Sequence, residues 1–159
     1  MAVKIDTGIS AEDRGAISAG LVKLLADTYS LYHKTHGYHW NVRGSNFAAL
    51  HGLLETQYQE IWEATDVIAE RIRAVGELVP QGYGALANLT AIRDGDPERS
   101  WEEMIGELKS DHETVIATAR SAFPDAETAN DEATMDLLTE RLRAHEKHAW
   151  MLRATLNAK

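Results

Sequence analysis

Apolar side chains recur along this chain with a helical period almost from end to end. Ile17, Leu21, Leu24 and Leu31, with Thr28 in register, lie three or four residues apart, the spacing that stacks side chains on one face of an α-helix. Ser10 with Asp13 supplies a capping pair at the start, and the pattern predicts a first helix to about Val42, stopped at Gly44. Asn46 stands where a cap for the second helix is needed. Phe47, Leu50, Leu54, Ile61, Ile68, Ile72 and Val75 then share a face as far as Gly76. Residues 77–96 hold Pro80, Gly82, Gly84 and Gly95 around the apolar run Leu86–Ile92, which reads as a long connection with one short helix. Ser100 and Glu103 form a capping box before a third helix through Ile105, Leu108, Val115 and Ile116, and Pro124 is expected to end it. The fourth starts at Asn130 or Asp131 and turns Leu138, Leu142, His145, Ala149 and Leu152 inward. No strand alternation, internal repeat or linker interrupts the pattern. The expectation is one all-α domain over residues 1–159, a four-helix bundle behind a short tail (1–10), with its longest connection between the second and third helices.

Composition narrows the chemistry. The 159 residues are 44% hydrophobic and 26% charged, and none is cysteine, which excludes disulfides, thiolate metal sites and cysteine nucleophiles. No apolar run is long enough to span a bilayer, and Met1-Ala-Val-Lys-Ile-Asp lacks the features of a secretory signal, so a cytoplasmic protein is expected. The net charge of −9 is uneven: Asp94 to Glu140 holds 14 acidic and 3 basic residues, a net of −11, and the remainder comes to +2. Residues 1–10 carry only Lys4 and Asp6, and Lys159 is alone at the other end. Without a basic arm, duplex DNA is a poor partner, whereas cations are favoured.

Four of the seven histidines, His33, His36, His39 and His51, fall within 19 residues. His39 and His51 flank the tight Gly44-Ser45-Asn46 connection, so an antiparallel helix pair brings them to the same height, where they can share a metal. On the second helix Glu55, Tyr58, Trp62, Asp66 and Glu70 occupy an arc of about 120° that includes His51, beside the apolar stripe. A solvated acidic face seldom carries large aromatics, so this stripe points to a partner surface. Asp66 lies 15 positions after His51, roughly 22 Å along the axis, whereas metal ligands sit only ~2 Å from their ion. One chain cannot close such a site. A second copy of the helix, antiparallel about a two-fold axis near Tyr58, would present its Asp66 and Glu70 to His39 and His51, twice over. No Glu-x-x-His pair exists for a di-iron site within one chain. His145-Glu-Lys-His148 lacks the i, i+4 spacing of a zinc-protease helix and reads as structural. His36 and His39, at i, i+3, form a candidate additional metal pair, against the plainer reading of His33 and His36 as surface histidines.

His39-Trp40-Asn41-Val42-Arg43-Gly44, then Phe47, Leu50-His51 and Asp66-x-x-Ala69-Glu70-Arg71, resembles the Dps family (DNA-binding proteins from starved cells, the miniferritins), along the whole chain. The resemblance implies a ferritin-like subunit, a hollow dodecameric cage, and ferroxidase centres across two-fold interfaces. His39 and His51 would come from one subunit, Asp66 and Glu70 from its neighbour, with Glu55 as a further acidic ligand and Trp40 beside the centre. Iron, for which zinc can substitute, would be oxidised by hydrogen peroxide or dioxygen and stored as ferric mineral, protecting against oxidative damage. It also implies an acidic three-fold entry pore near the start of the fourth helix, with Asp131 and Asp136 the leading candidates. Many members bind DNA through a lysine-rich tail, which this chain lacks. The competing readings are a nucleoid-associated, DNA-compacting protein with little iron chemistry, and an interaction bundle with none.

Overall fold

A computed structural model describes residues 5–156; Lys4 and Lys159 lie outside the described residues. Five helices follow in order: α1 (Ala11–Asn41), α2 (Phe47–Ala74), α3 (Tyr83–Ala87), α4 (Trp101–Thr128) and α5 (Glu132–Leu156). No strand occurs among the described residues. The long helices begin and end for local reasons. The Ser10 hydroxyl accepts the Asp13 N–H at 3.1 Å and donates to the Asp13 carboxylate, satisfying an amide that the first turn of α1 would otherwise orphan. Ser100 and Glu103 close a full capping box at α4. At the end of α2, Gly76 takes a φ of +104°, which only glycine adopts freely, and Glu77 N–H folds back to the Ile72 carbonyl.

Two local expectations need correction. Asn46 stands at the N-cap of α2 but its side chain makes no capping bond, because its backbone is not in the extended conformation that aims a side chain at the first turn (φ −96°, ψ 10°). Pro124 does not end α4. It sits inside the helix, which continues to Thr128, and removes a single backbone donor. Termination comes instead at Asn130, whose φ of +53° turns the chain so that Asp131 N–H reaches the Ala126 carbonyl. The short helix expected within the long connection lies at Tyr83–Ala87. Asp27 on α1, 2% exposed, accepts hydrogen bonds from the Thr90 hydroxyl and the Ala91 N–H, and these hold 90–92 out of a helix.

α1 packs against α2 and α4, α5 against α4 and α2, and α3 against α1, giving the four-helix bundle with a crossover connection. Leu21, Leu24, Leu31, Leu54, Ile61, Ile68, Ile72, Ile105, Leu108 and Leu152 are fully buried between the helices, one periodic face from each. Truncating any of these to alanine costs about 2–5 kcal/mol. Gly20 explains itself by proximity, since a β-carbon there would lie 2.9 Å from Ala122 Cβ where α1 crosses α4. No helix among the described residues is long and apolar enough to cross a membrane.

Candidate metal centre

His39 comes from the last turn of α1 and His51 from the second turn of α2, and the tight turn at Gly44 (φ +112°) folds one ring onto the other. The imidazoles stack with centroids 3.7 Å apart. Each Nδ1 lies 2.9 Å from the other residue's backbone carbonyl. A carbonyl only accepts, so both Nδ1 atoms carry the proton and donate. Both Nε2 atoms are thereby left with free lone pairs, the state in which imidazole binds a metal. Backbone geometry thus fixes the orientation of both rings and leaves their outer nitrogens available.

Around this pair the described residues form an aromatic wall. Tyr58 meets His39 edge-on at 5.1 Å and stacks on His36 at 4.0 Å. His36 is held at Nδ1 by the Tyr32 hydroxyl, 3.2 Å away, and packs against Trp40 at 4.2 Å. His36 is therefore engaged with tyrosines and a tryptophan, and His33 sits by Tyr32 and Tyr83. Burial, then the neighbouring His39 and His33, hold the His36 ring below the ordinary histidine pKa. Trp40, 62% exposed, and Trp62, 50% exposed, present large apolar area at the surface.

Glu55, Asp66 and Glu70 all lie exposed on α2 and make no hydrogen bond or ion pair among the described residues. Among the described residues of one chain, no group of three or more histidine, aspartate or glutamate side chains is arranged so that it could hold a metal ion. The two imidazoles are brought together; the carboxylates are not brought to them.

Asp131 departs from the expectation of a pore-lining acid. It is 3% exposed, and Arg71 Nη2 grips both its oxygens at 2.6 and 2.7 Å. Thr134 adds a backbone N–H at 3.1 Å and a hydroxyl at 2.6 Å, so Asp131 caps α5 and ties it to α2. Burial alone would raise its pKa, but these bonds outweigh it and hold the carboxyl below its ordinary value. An acid so committed cannot face a channel. Asp136, one turn on, is exposed.

Sequence reasoning missed a second histidine group. His112, His145 and His148 lie buried in the bundle beside Glu60 and Arg141. His112 follows Leu108 and precedes Val115 at helical spacing, which was the available signal.

A ferritin-like domain family matches residues 18–158. DNA protection during starvation protein 2 of Bacillus anthracis is 35% identical, over 86% of this chain and 94% of that protein. Among solved structures, a Dps protein from Bacillus brevis superposes with a TM-score of 0.89 at 31% identity, covering 94% of this chain and all of that one. The chain belongs to the Dps family. Antigen TpF1 from Treponema pallidum gives a TM-score of 0.90 at 31% identity, over 98% of this Dps chain and all of the antigen. A Dps protein from Vibrio cholerae, described as a member of a broad superfamily of ferritin-like diiron-carboxylate proteins, gives 0.92 at 25% identity, over 99% of both chains. The ferritin-like bundle read from the sequence is thus the fold of this Dps protein, and its chemistry is iron-related in the general sense of that superfamily.

Proposed function

We propose that this protein is a miniferritin ferroxidase that binds Fe(II) at sites shared between two subunits, oxidises it with hydrogen peroxide, or with dioxygen, and stores the ferric product in a dodecameric cage. The observation that carries this reading is the reciprocal His39–His51 pair, which locks both inner nitrogens as donors and leaves two Nε2 lone pairs for a metal. Two imidazoles suit Fe(II), but ferric iron asks for hard anionic oxygen ligands, which Asp66 and Glu70 supply from α2 of a two-fold neighbour and Glu55, one turn after His51, supplies from the same chain as the imidazoles. The same donor set accepts Zn(II) as a substitute. The exposed aromatics, Trp40 among them, give the neighbouring copy an apolar surface to cover and keep bulk water from the centre.

The reaction balances simply. Two Fe(II) ions each give one electron, peroxide accepts both with two protons, its O–O bond breaks, and two waters form. Keeping both electrons within one shared site avoids releasing a hydroxyl radical, which is the protection against oxidative damage. Cations reach the cage through acidic surface at the start of α5, where Asp136 is the exposed candidate. Such chemistry belongs in the cytoplasm, where Fe(II) and peroxide meet.

Mixed assemblies test the shared site. His51→Ala and Asp66→Ala homomers should each lose rapid oxidation when peroxide follows an anaerobic Fe(II) titration. Co-assembled cages should regain part of it, because an intact imidazole pair from one chain meets intact carboxylates from the other. Verified mixed cages as inactive as the homomers would refute the intersubunit arrangement.

A further inference from the structure

The middle of the bundle holds a polar layer that the metal centre does not use. His112 of α4 and His145 of α5 are both shut off from solvent, and their Nδ1 atoms face each other at 2.9 Å. One turn along α5, the His148 ring lies 5.3 Å from that of His112, and its Nε2 is 3.2 Å from Glu60 Oε2. Glu60 reaches in from α2, and its other carboxylate oxygen is bonded by Arg141 of α5. The outer nitrogens, His112 Nε2 and His145 Nε2, are buried with no hydrogen-bond partner among the described residues.

Two nitrogens that face one another across a hydrogen bond share a single proton between them: one ring donates and the other accepts. Both imidazoles are then neutral. A further proton has two places to go. On the accepting Nδ1 it sets two N–H groups head to head and destroys the bond. On the Nε2 of the donating ring, the other nitrogen still unprotonated, it creates a charged N–H on an atom sealed from water and without an acceptor, a costly state in a low-dielectric interior. The surroundings offer little relief. On α5 the guanidinium of Arg141 repels added positive charge, and on α2 the Glu60 carboxylate is already spent on Arg141 and His148. On the α1 side, Lys34 pairs with Glu107 and Asp111 of α4, and Asp27 is saturated by Thr90, Ala91 and Thr118. At the surface Arg120 of α4 and Glu146 of α5 pair with each other.

We propose that the His112–His145 pair is an acid-triggered latch, holding α5 on α4 while both rings are neutral and releasing it when they take up protons. Burial, then the positive charge of Arg141, pushes His145 down to about 3, and burial with the other imidazoles holds His112 well below its ordinary value. Opened to water, both rings return to about 6.5. The open state therefore binds more protons below that pH, so the latch is at full strength above about pH 6.5 and weakens as pH falls. Glu60, held at about 2 against its own burial by His148 and Arg141, adds acid sensitivity only below about pH 4.5. Asp111, raised chiefly by burial, acts in the opposite sense. The interval from about pH 6.5 to 4.5 is left to the imidazoles.

Hydrogen exchange resolved by segment on the intact protein, corrected for the intrinsic pH dependence of exchange, tests this without any metal. With two protons taken up on opening, the opening constant of α4 and α5 peptides should rise about 100-fold per pH unit between 6 and 4.5. The double variant His112→Leu/His145→Leu removes both partners together and should flatten that slope. His145→Gln alone, which keeps a polar side chain, should reduce it to about tenfold per unit. A wild-type slope below tenfold, or a wild-type slope retained in His145→Gln, would overturn the latch even if the double variant failed to fold.

Discussion

His39 and Asp131 show how little a residue's type says about its task until its hydrogen bonds are counted. His39 is 7% exposed yet keeps a free nitrogen, because its Nδ1 proton is spent on the His51 carbonyl and its Nε2 is not. Asp131 is the reverse, since both oxygens are spent on Arg71 and Thr134, which makes it a structural tie between α2 and α5. Asp131→Asn should therefore leave iron oxidation almost untouched while destabilising the subunit. Breaking a buried ion pair from one side costs about 3–5 kcal/mol, and the partly exposed Arg71 places the expected loss near the lower end. The pH dependence has a definite sign. With the folded carboxyl held below its ordinary value, the pair contributes fully above about pH 4 and loses its contribution as pH falls through the folded pKa. Denaturation of wild type and variant should differ most at neutral pH and converge in strong acid. A constant difference across that range would mean that the ion pair is not the source of stability.

Asp27 makes the same point for a whole segment of chain. It accepts from the Thr90 hydroxyl and the Ala91 N–H with one oxygen and from the Thr118 hydroxyl with the other, so one buried side chain on α1 anchors both the α3–α4 connection and α4. Asp27→Ala leaves those donors unsatisfied, at about 1–3 kcal/mol each where they stay buried. The expected result is a less stable subunit with proteolytic cleavage concentrated near residues 88–93; an unchanged digestion pattern would show that the connection holds itself. This long-range contact is also why the bounds of the short helix could not be read from the sequence, since the run Leu86–Ile92 is apolar enough to be helical and the residue that holds its end out of a helix lies some 60 positions earlier. The four long helices were legible because their determinants are local: Ser10, Ser100 and Gly76 at their ends and an unbroken apolar period between. Pro124 misled because a proline's lost donor is read more easily than the packing that tolerates it. His39 and His51 could be paired from the sequence since both are about a turn from one tight connection. The tautomers that leave their Nε2 atoms free could not, because they depend on two carbonyls. His112 was invisible as part of a group, for its partners lie on other helices and its place in the core rhythm looks like any apolar position.

The charge of the molecule is divided along the same lines as its fold. The segment of net −11 covers the end of the connection, all of α4 and the first part of α5, while the helices α1 and α2 that carry the imidazoles and aromatics lie in the nearly balanced remainder. Cations are thus drawn to one side of the bundle while the stacked imidazoles lie on another, and polyanions are repelled from the first without being attracted to the second. Duplex DNA needs lysine or arginine to displace its condensed counterions, and every phosphate so neutralised steepens the salt dependence of binding. Here Arg71 and Arg141 are committed to carboxylates inside the bundle, Arg99 and Arg120 pair with acids on the surface, and Lys34 is buried between Glu107 and Asp111. The native protein should therefore not retard duplex DNA in a gel at about 0.15 M salt, where the screening length is about 8 Å. A version carrying an appended arm of six lysines should bind, with an affinity that falls by a power of salt close to five, the expected slope for six neutralised phosphates at about 0.9 each. Tight binding by the native chain, insensitive to salt, would show that DNA is recognised by something other than charge, and would favour the nucleoid-compacting reading over the iron-storing one.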